Sequence, residues 1–134
     1  MCSRWPQRPM LKEKGKVPDM KIEKSLMSGS NMLLILKLLS EKEMYGYEMI
    51  QTLAKRSQNA FEMKEGTLYP LLHELEKNKC VSCRITETPG GRQRKYYAIT
   101  DKGIDLLKEK KEEWSFFSGK VNEVVFGAAL PAIT

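Results

Sequence analysis

At about residue 80 this chain changes its hydrophobic period, and that switch restricts it to a small set of folds. Before it, Leu68, Leu71, Leu72 and Leu75 recur at i, i+3, i+4 and i+7, the spacing that puts four side chains on one helix face. After it, Val81, Cys83 and Ile85 alternate with Ser82, Arg84 and Thr86, the two-residue period of a strand. Thr88-Pro89-Gly90-Gly91 reads as a turn, and Arg92 to Ile99, with Tyr96, Tyr97 and Ile99, as a second strand. Two such runs about a Pro/Gly turn predict a β-hairpin. Thr100 is then placed to cap a long helix from about Asp101 to near Gly127, with Pro131 as its stop.

Upstream, the spacing predicts three helices. Residues Ile22 to Leu39 read as one helix that becomes apolar nearly all round, hence a buried central helix, ended by Ser40-Glu41-Lys42-Glu43. A second runs from Met44 to about Lys55 with Tyr47, Ile50, Leu53 and Ala54 on one face. The third carries the leucine stripe from about Glu65 to Asn78. Pro70 falls early in it, close to the first turn, where a missing N–H is tolerated. Three helices, a hairpin and a long helix predict a mostly α, winged helix-turn-helix chain with a two-stranded β wing and a long C-terminal helix. Residues 1–24, with Pro6, Pro9, Gly15 and Pro18 and an excess of Lys and Arg, read as a disordered basic extension. Residues 25–100 form the winged helix, and 101–134 the final helix and tail.

At 134 residues and 41% hydrophobic content the chain is one domain with a modest core. Its net charge of +6 favours a polyanionic partner. Met32 to Leu36 is the longest apolar run, far short of the ~20 residues of a spanning helix. The N-terminus has no apolar core of a secretory signal. Three cysteines, Cys2, Cys80 and Cys83, form no disulfide framework, and a reducing, cytoplasmic setting is expected. Cys80-Val81-Ser82-Cys83 has CxxC spacing, but with one histidine and no second pair it lacks a zinc ligand set. On a strand, residues three apart point to opposite faces. No metal, cofactor or enzymatic role is expected, because His73 is the only histidine and no nucleophile and base accompany it.

Function is expected where a helix face is free and charge is clustered. Thr67, Tyr69, Pro70 and His73 lie off the leucine stripe of the third helix, on the face a recognition helix would turn to the major groove. Glu65, Glu74 and Glu76 on that helix limit its electrostatic attraction. Arg92, Arg94 and Lys95 follow Gly90-Gly91 with no acid between them, so the wing can neutralise phosphates. Each signal alone has an ordinary reading, as core, solvated turn or surface aromatic; their order raises their weight. A winged-helix protein-interaction module without DNA remains the alternative, and a membrane-surface protein using residues 1–24 ranks below it.

Met44-Tyr45-Gly46-Tyr47-Glu48-Met49-Ile50, Glu65-Gly66-Thr67-Leu68-Tyr69-Pro70-Leu71-Leu72-His73-Glu74-Leu75-Glu76 and Gly90-Gly91-Arg92-Gln93-Arg94-Lys95-Tyr96-Tyr97-Ala98-Ile99-Thr100 together closely resemble the PadR family of bacterial transcriptional regulators, over about residues 27 to 128. The single helix after the wing is similar to the family's short members. The resemblance implies a homodimeric repressor on a palindromic double-stranded DNA operator, controlling its own gene or a neighbouring transporter or detoxification gene. It implies Tyr45, Thr67, Tyr69, Pro70 and His73 at or near DNA, with Gly91, Arg92, Arg94 and Lys95 of the wing beside them. Two departures stand out: Cys80, where the family often has glycine, and the basic extension.

The final helix has a short heptad seam. Leu107, Trp114, Val121 and Ala128 recur every seven residues, with Phe117 and Val124 between them; an apolar seam without a partner inside the chain predicts a partner chain. Lys110 and Lys111 interrupt it, and Gly119 weakens the helix. Trp114 has two readings. It anchors the dimer interface, where aromatics are enriched, or, as in some short PadR-like regulators, it lines with its symmetry mate a pore for a small flat aromatic effector.

Overall fold

The computed structural model describes residues 22–127. Most of the basic extension, with Ala128 and Pro131, lies outside the described residues. The elements are α1 (Lys24–Met27), α2 (Asn31–Glu41), β1 (Met44–Tyr45), α3 (Gly46–Arg56), α4 (Glu65–Lys77), β2 (Val81–Glu87), β3 (Gln93–Ile99) and α5 (Asp101–Phe126). This is a winged helix-turn-helix with a long terminal helix, as the sequence predicts, with two differences in its first half.

The expected helix over Ile22 to Leu39 is divided. Ser28-Gly29-Ser30 interrupts it: the Ser28 hydroxyl donates to the Ser25 carbonyl at 3.1 Å and the Ser30 hydroxyl to the Met27 carbonyl at 3.0 Å. Serine side chains that bond back to nearby carbonyls compete with the helical ladder, and glycine adds backbone freedom. The central-helix role falls to α2, whose Ile35, Leu36, Leu38 and Leu39 are buried as it packs on α5, β3 and α3.

Met44 and Tyr45 do not begin the second helix. They form β1, which pairs antiparallel with β3, Met44 opposite Tyr97 and Tyr45 opposite Tyr96. The wing is therefore part of a three-stranded sheet of order β1-β3-β2. The buried face of α3 is Gly46, Met49 and Leu53, with Ile50 partly buried and Tyr47 turned out to solvent.

Leu68, Leu72 and Leu75 of α4 are almost fully buried, and Leu71 packs at the edge of the core. Because α4 begins at Glu65, Pro70 sits in its second turn rather than its first. The Gly66 carbonyl thereby loses its helical partner, and Gly66 is exposed, so water can meet it. The left-handed residue after α4 is Lys79, at φ 64°, while Cys80 is buried; the backbone freedom that favours glycine is needed at position 79, not 80.

The hairpin register runs from Val81 opposite Ile99 to Glu87 opposite Gln93. Its tip is tied by Thr88, whose N–H donates to the Arg92 carbonyl at 2.9 Å and whose own carbonyl accepts from Gly91 N–H at 2.8 Å. Gly91 has φ +83°, a conformation side chains disfavour. Only the hairpin base is buried: Val81 and Tyr97 belong to the core, whereas Ile85 stands in solvent. The wing projects beyond the body of the domain. Thr100 caps α5 as expected. Its hydroxyl accepts from Gly103 N–H at 3.1 Å and donates to the Lys79 carbonyl at 2.7 Å, which joins the start of α5 to the end of α4.

Candidate nucleic-acid interface

Alternation along β3 divides the wing's cations. Arg94 and Tyr96 share one face; Lys95 and Tyr97 share the other. On the first face, Tyr96 lies between Tyr45 of β1 and Arg84 of β2, each its direct cross-strand partner. The Tyr45 and Tyr96 rings meet edge to face, 5.4 Å apart at 71°. The Arg94 guanidinium carbon stands 4.1 Å from the Tyr45 ring centre, and that of Arg84 stands 5.0 Å from the Tyr96 ring centre, both within cation–π range.

On the second face, the Lys95 ammonium is 5.7 Å from the Tyr97 ring centre. Cys83 lies there too, 3.4 Å from the Glu76 carboxylate of α4. Burial pushes the Cys83 thiol upward, and the hydrogen bond to Glu76 adds to the shift. This thiol is therefore held in its protonated form, the less nucleophilic one. Arg92 is exposed at the hairpin tip, and among the described residues it makes no ion pair.

Of the α4 residues, Tyr69 reaches the start of α3 at Gly46. A Cβ added there would collide with Tyr69 Oη and lie 2.7 Å from Tyr69 Cζ; Tyr69 is seated on the first turn of α3. Tyr45 is the next residue back along the chain. Tyr69 and Arg94 thus meet consecutive residues, Gly46 and Tyr45, and Tyr69 keeps 41% of its area exposed. Burial raises the Tyr69 phenol, and Glu65 adds to it, so the hydroxyl is a hydrogen-bond donor at neutral pH. Pro70 and His73 are exposed on the same helix and Thr67 is half-buried.

Sequence reasoning missed Glu43, Arg84 and Tyr96. Their roles depend on which residues the register sets side by side, and no local pattern reports that.

On α5 the heptad series divides. Leu107 is buried in the chain's own core, because α5 lies against α2; it is not part of an exposed seam. Trp114, Phe117, Val121 and Val124 are all exposed, Val124 at 84%. Trp114 and Phe117 lie 5.8 Å apart and, with Gly29, Leu33, Lys110 and Glu113, line a cleft of 300 Å³ between the α1–α2 turn and α5. Phe116, Val125 and Phe126 are also exposed; at about 100° per residue Val125 borders the seam, while Phe116 and Phe126 fall on other faces of the helix. No described helix is long and apolar enough to cross a membrane.

The sequence profile of the Transcriptional regulator PadR-like family matches residues 35–109, more than half of the chain. This chain belongs to the PadR-like family. PadR-like proteins are transcriptional regulators and not enzymes, so its work is regulation through DNA. A Bacillus cereus PadR-like transcriptional regulator is similar at 36% identity and TM-score 0.65, over 78% of this chain and 99% of its own. A Clostridium thermocellum transcriptional regulator is similar at 33% identity and TM-score 0.71, over 76% and 99%. The Transcriptional regulator YqjI of Escherichia coli is 30% identical over 76% of this chain, which spans 47% of that protein's length. The matched region of this PadR-like chain contains Tyr45, Tyr69 and Arg94.

Proposed function

We propose that this chain is a homodimeric repressor that binds a palindromic operator through α4 and the wing. In this reading residues 25–100 bind DNA and residues 101–134 bring two copies together. The observation that carries it is the junction of the two DNA-facing elements: Arg94 stands over Tyr45 at 4.1 Å, and Tyr69 is packed on the adjacent Gly46. A residue of the recognition helix and a wing cation thus meet consecutive residues of the chain, Gly46 and Tyr45. Thr67, Tyr69, Pro70 and His73 face the major groove. Arg92, Arg94 and Lys95 meet phosphates, with Gly91 letting the backbone approach. Phosphate contacts position the protein while base contacts specify the site. In a dimer the two α4 helices address half-sites about 34–36 Å apart.

The test is a titration on the duplex upstream of its own gene, with a scrambled duplex beside it, at two salt concentrations. The wild-type protein is expected to prefer the upstream duplex and to loosen with salt. Arg92→Ala with Arg94→Ala should lower the salt slope by about two, one for each phosphate cation removed. No binding at either salt would overturn the reading in favour of a protein-interaction module.

The exposed Trp114 and its cleft support a second element of the proposal, release of the operator by a small flat aromatic compound seated against Trp114 in the dimer. Trp114→Ala is expected to remain dimeric and to lose the response of DNA binding to such compounds. An unchanged response in a dimeric Trp114→Ala protein would leave Trp114 as an interface anchor alone.

A further inference from the structure

We propose that Glu43 is a positioning residue for DNA recognition, setting through Arg84, Tyr96 and Tyr45 the place where Arg94 stands. The inference rests on the reading above that Arg94 meets DNA. Glu43 immediately precedes β1, yet its side chain reaches across to β2. Arg84 Nε donates to Glu43 Oε1 at 3.0 Å and Arg84 Nη2 to Oε2 at 2.5 Å, a two-pronged contact that fixes direction as well as distance. Arg84 stands over Tyr96, Tyr96 meets Tyr45 edge on, and Arg94 stands over Tyr45. The series crosses all three strands on one face of the sheet and ends on a wing cation.

The backbone does not supply this link. Strand β1 bonds only to β3 and spans two residues, so its ladder is short. The Glu43–Arg84 pair ties the outer two strands together over β3. The Arg84 hydrogen bond holds the Glu43 carboxyl below its usual range, so it remains ionised at neutral pH. Both partners are substantially exposed, and exposed ion pairs contribute little to stability. The pair's consequence is geometric: it holds Arg84, and through it the Tyr96 and Tyr45 rings, in the place against which Arg94 stands.

Charge alone argues for the opposite outcome. A carboxylate beside a DNA-binding face repels phosphate, so its removal should tighten binding. Positioning demands that removal weaken binding to the cognate duplex. The experiment uses the full chain, a duplex that it enriches from a randomised pool, and a scrambled duplex. Wild type, Glu43→Gln, Arg94→Ala and the double variant are titrated on both. Glu43→Gln is expected to weaken cognate binding about five- to tenfold, the size of coupling seen between linked residues. Its scrambled-duplex affinity should be unchanged or higher, and it should add nothing in the Arg94→Ala background.

The proposal is overturned by Glu43→Gln that binds the cognate duplex as tightly as wild type while Arg94→Ala weakens it. Equal losses from Glu43→Gln with and without Arg94 overturn it too, because the two residues then act independently. So does a fall in melting temperature of more than about 5 °C, which would make Glu43 a stability residue. A wild-type protein that enriches no duplex overturns the DNA reading itself, and this inference with it.

Discussion

Gly103→Ala is expected to destabilise this protein by about 2 kcal/mol or more, although alanine is the better helix former by ~1 kcal/mol. Gly103 lies in the first turn of α5 and is buried. A Cβ there would collide with the Cys80 carbonyl oxygen and lie 3.1 Å from the carbonyl carbon and 2.7 Å from Ile99 Cγ1. Two of these three atoms are backbone, so no rotamer change clears them. The Cys80 carbonyl also accepts the Thr100 N–H at 3.0 Å, and Thr100 caps the helix through Gly103 itself. Moving α5 away would therefore disturb the cap and the α4–β2 connection together. Gly119, on the same helix, has no atom within 4 Å of an added Cβ. Gly119→Ala should then gain part of the ~1 kcal/mol propensity difference. Thermal melts at one fixed protein concentration are the check, with an expected fall of roughly 8 °C or more for the first variant and a small rise for the second. Two shifts of the same sign would show that close approach at Gly103 does not govern this corner of the fold.

What was legible in the sequence was local. The leucine stripe of α4, the hairpin, the Thr100 cap and the length of α5 each follow from neighbours within one or two turns. What was not legible depends on residues far apart. Met44 and Tyr45 carry no strand signal of their own; they are extended because Tyr96 and Tyr97, some fifty residues later, offer a free edge. Tyr47 reads as core by helical period but is exposed, because α3 turns Gly46, Met49 and Leu53 to the core instead. Leu107 fits the heptad, yet the chain's own core takes it. The candidate interface divides the same way. Arg94 and Tyr45 were readable as candidates, but their contact was not, and adjacent Arg94 and Lys95 proved to lie on opposite faces, as a strand requires. The break at Ser28-Gly29-Ser30 is different: its signal was local, and the apolar run around it masked it.

If the exposed face of α5 is the dimer interface, Phe117→Glu with Val121→Glu should produce a folded monomer that has lost most of its cognate DNA affinity. Phe117 and Val121 are four residues apart on a helix, next to each other on one face, and both are exposed in the single chain, at 55% and 40%. Neither belongs to the core cluster, so the winged helix has no need of them. Charges there would be tolerated in water but would meet their symmetry mates in a two-fold interface, where buried like charges are strongly unfavourable. The loss for DNA follows from linkage. Two winged helices joined by one interface engage two half-sites with a high effective concentration for the second, worth about a hundredfold or more over one module. Sedimentation of wild type and variant, with titration on the cognate duplex, reads both effects, and far-UV circular dichroism confirms that the variant is folded. A variant that still sediments as a dimer would place the interface elsewhere. A folded monomer with undiminished cognate affinity would show that one winged helix suffices, and the palindromic, two-fold part of the proposal would fall.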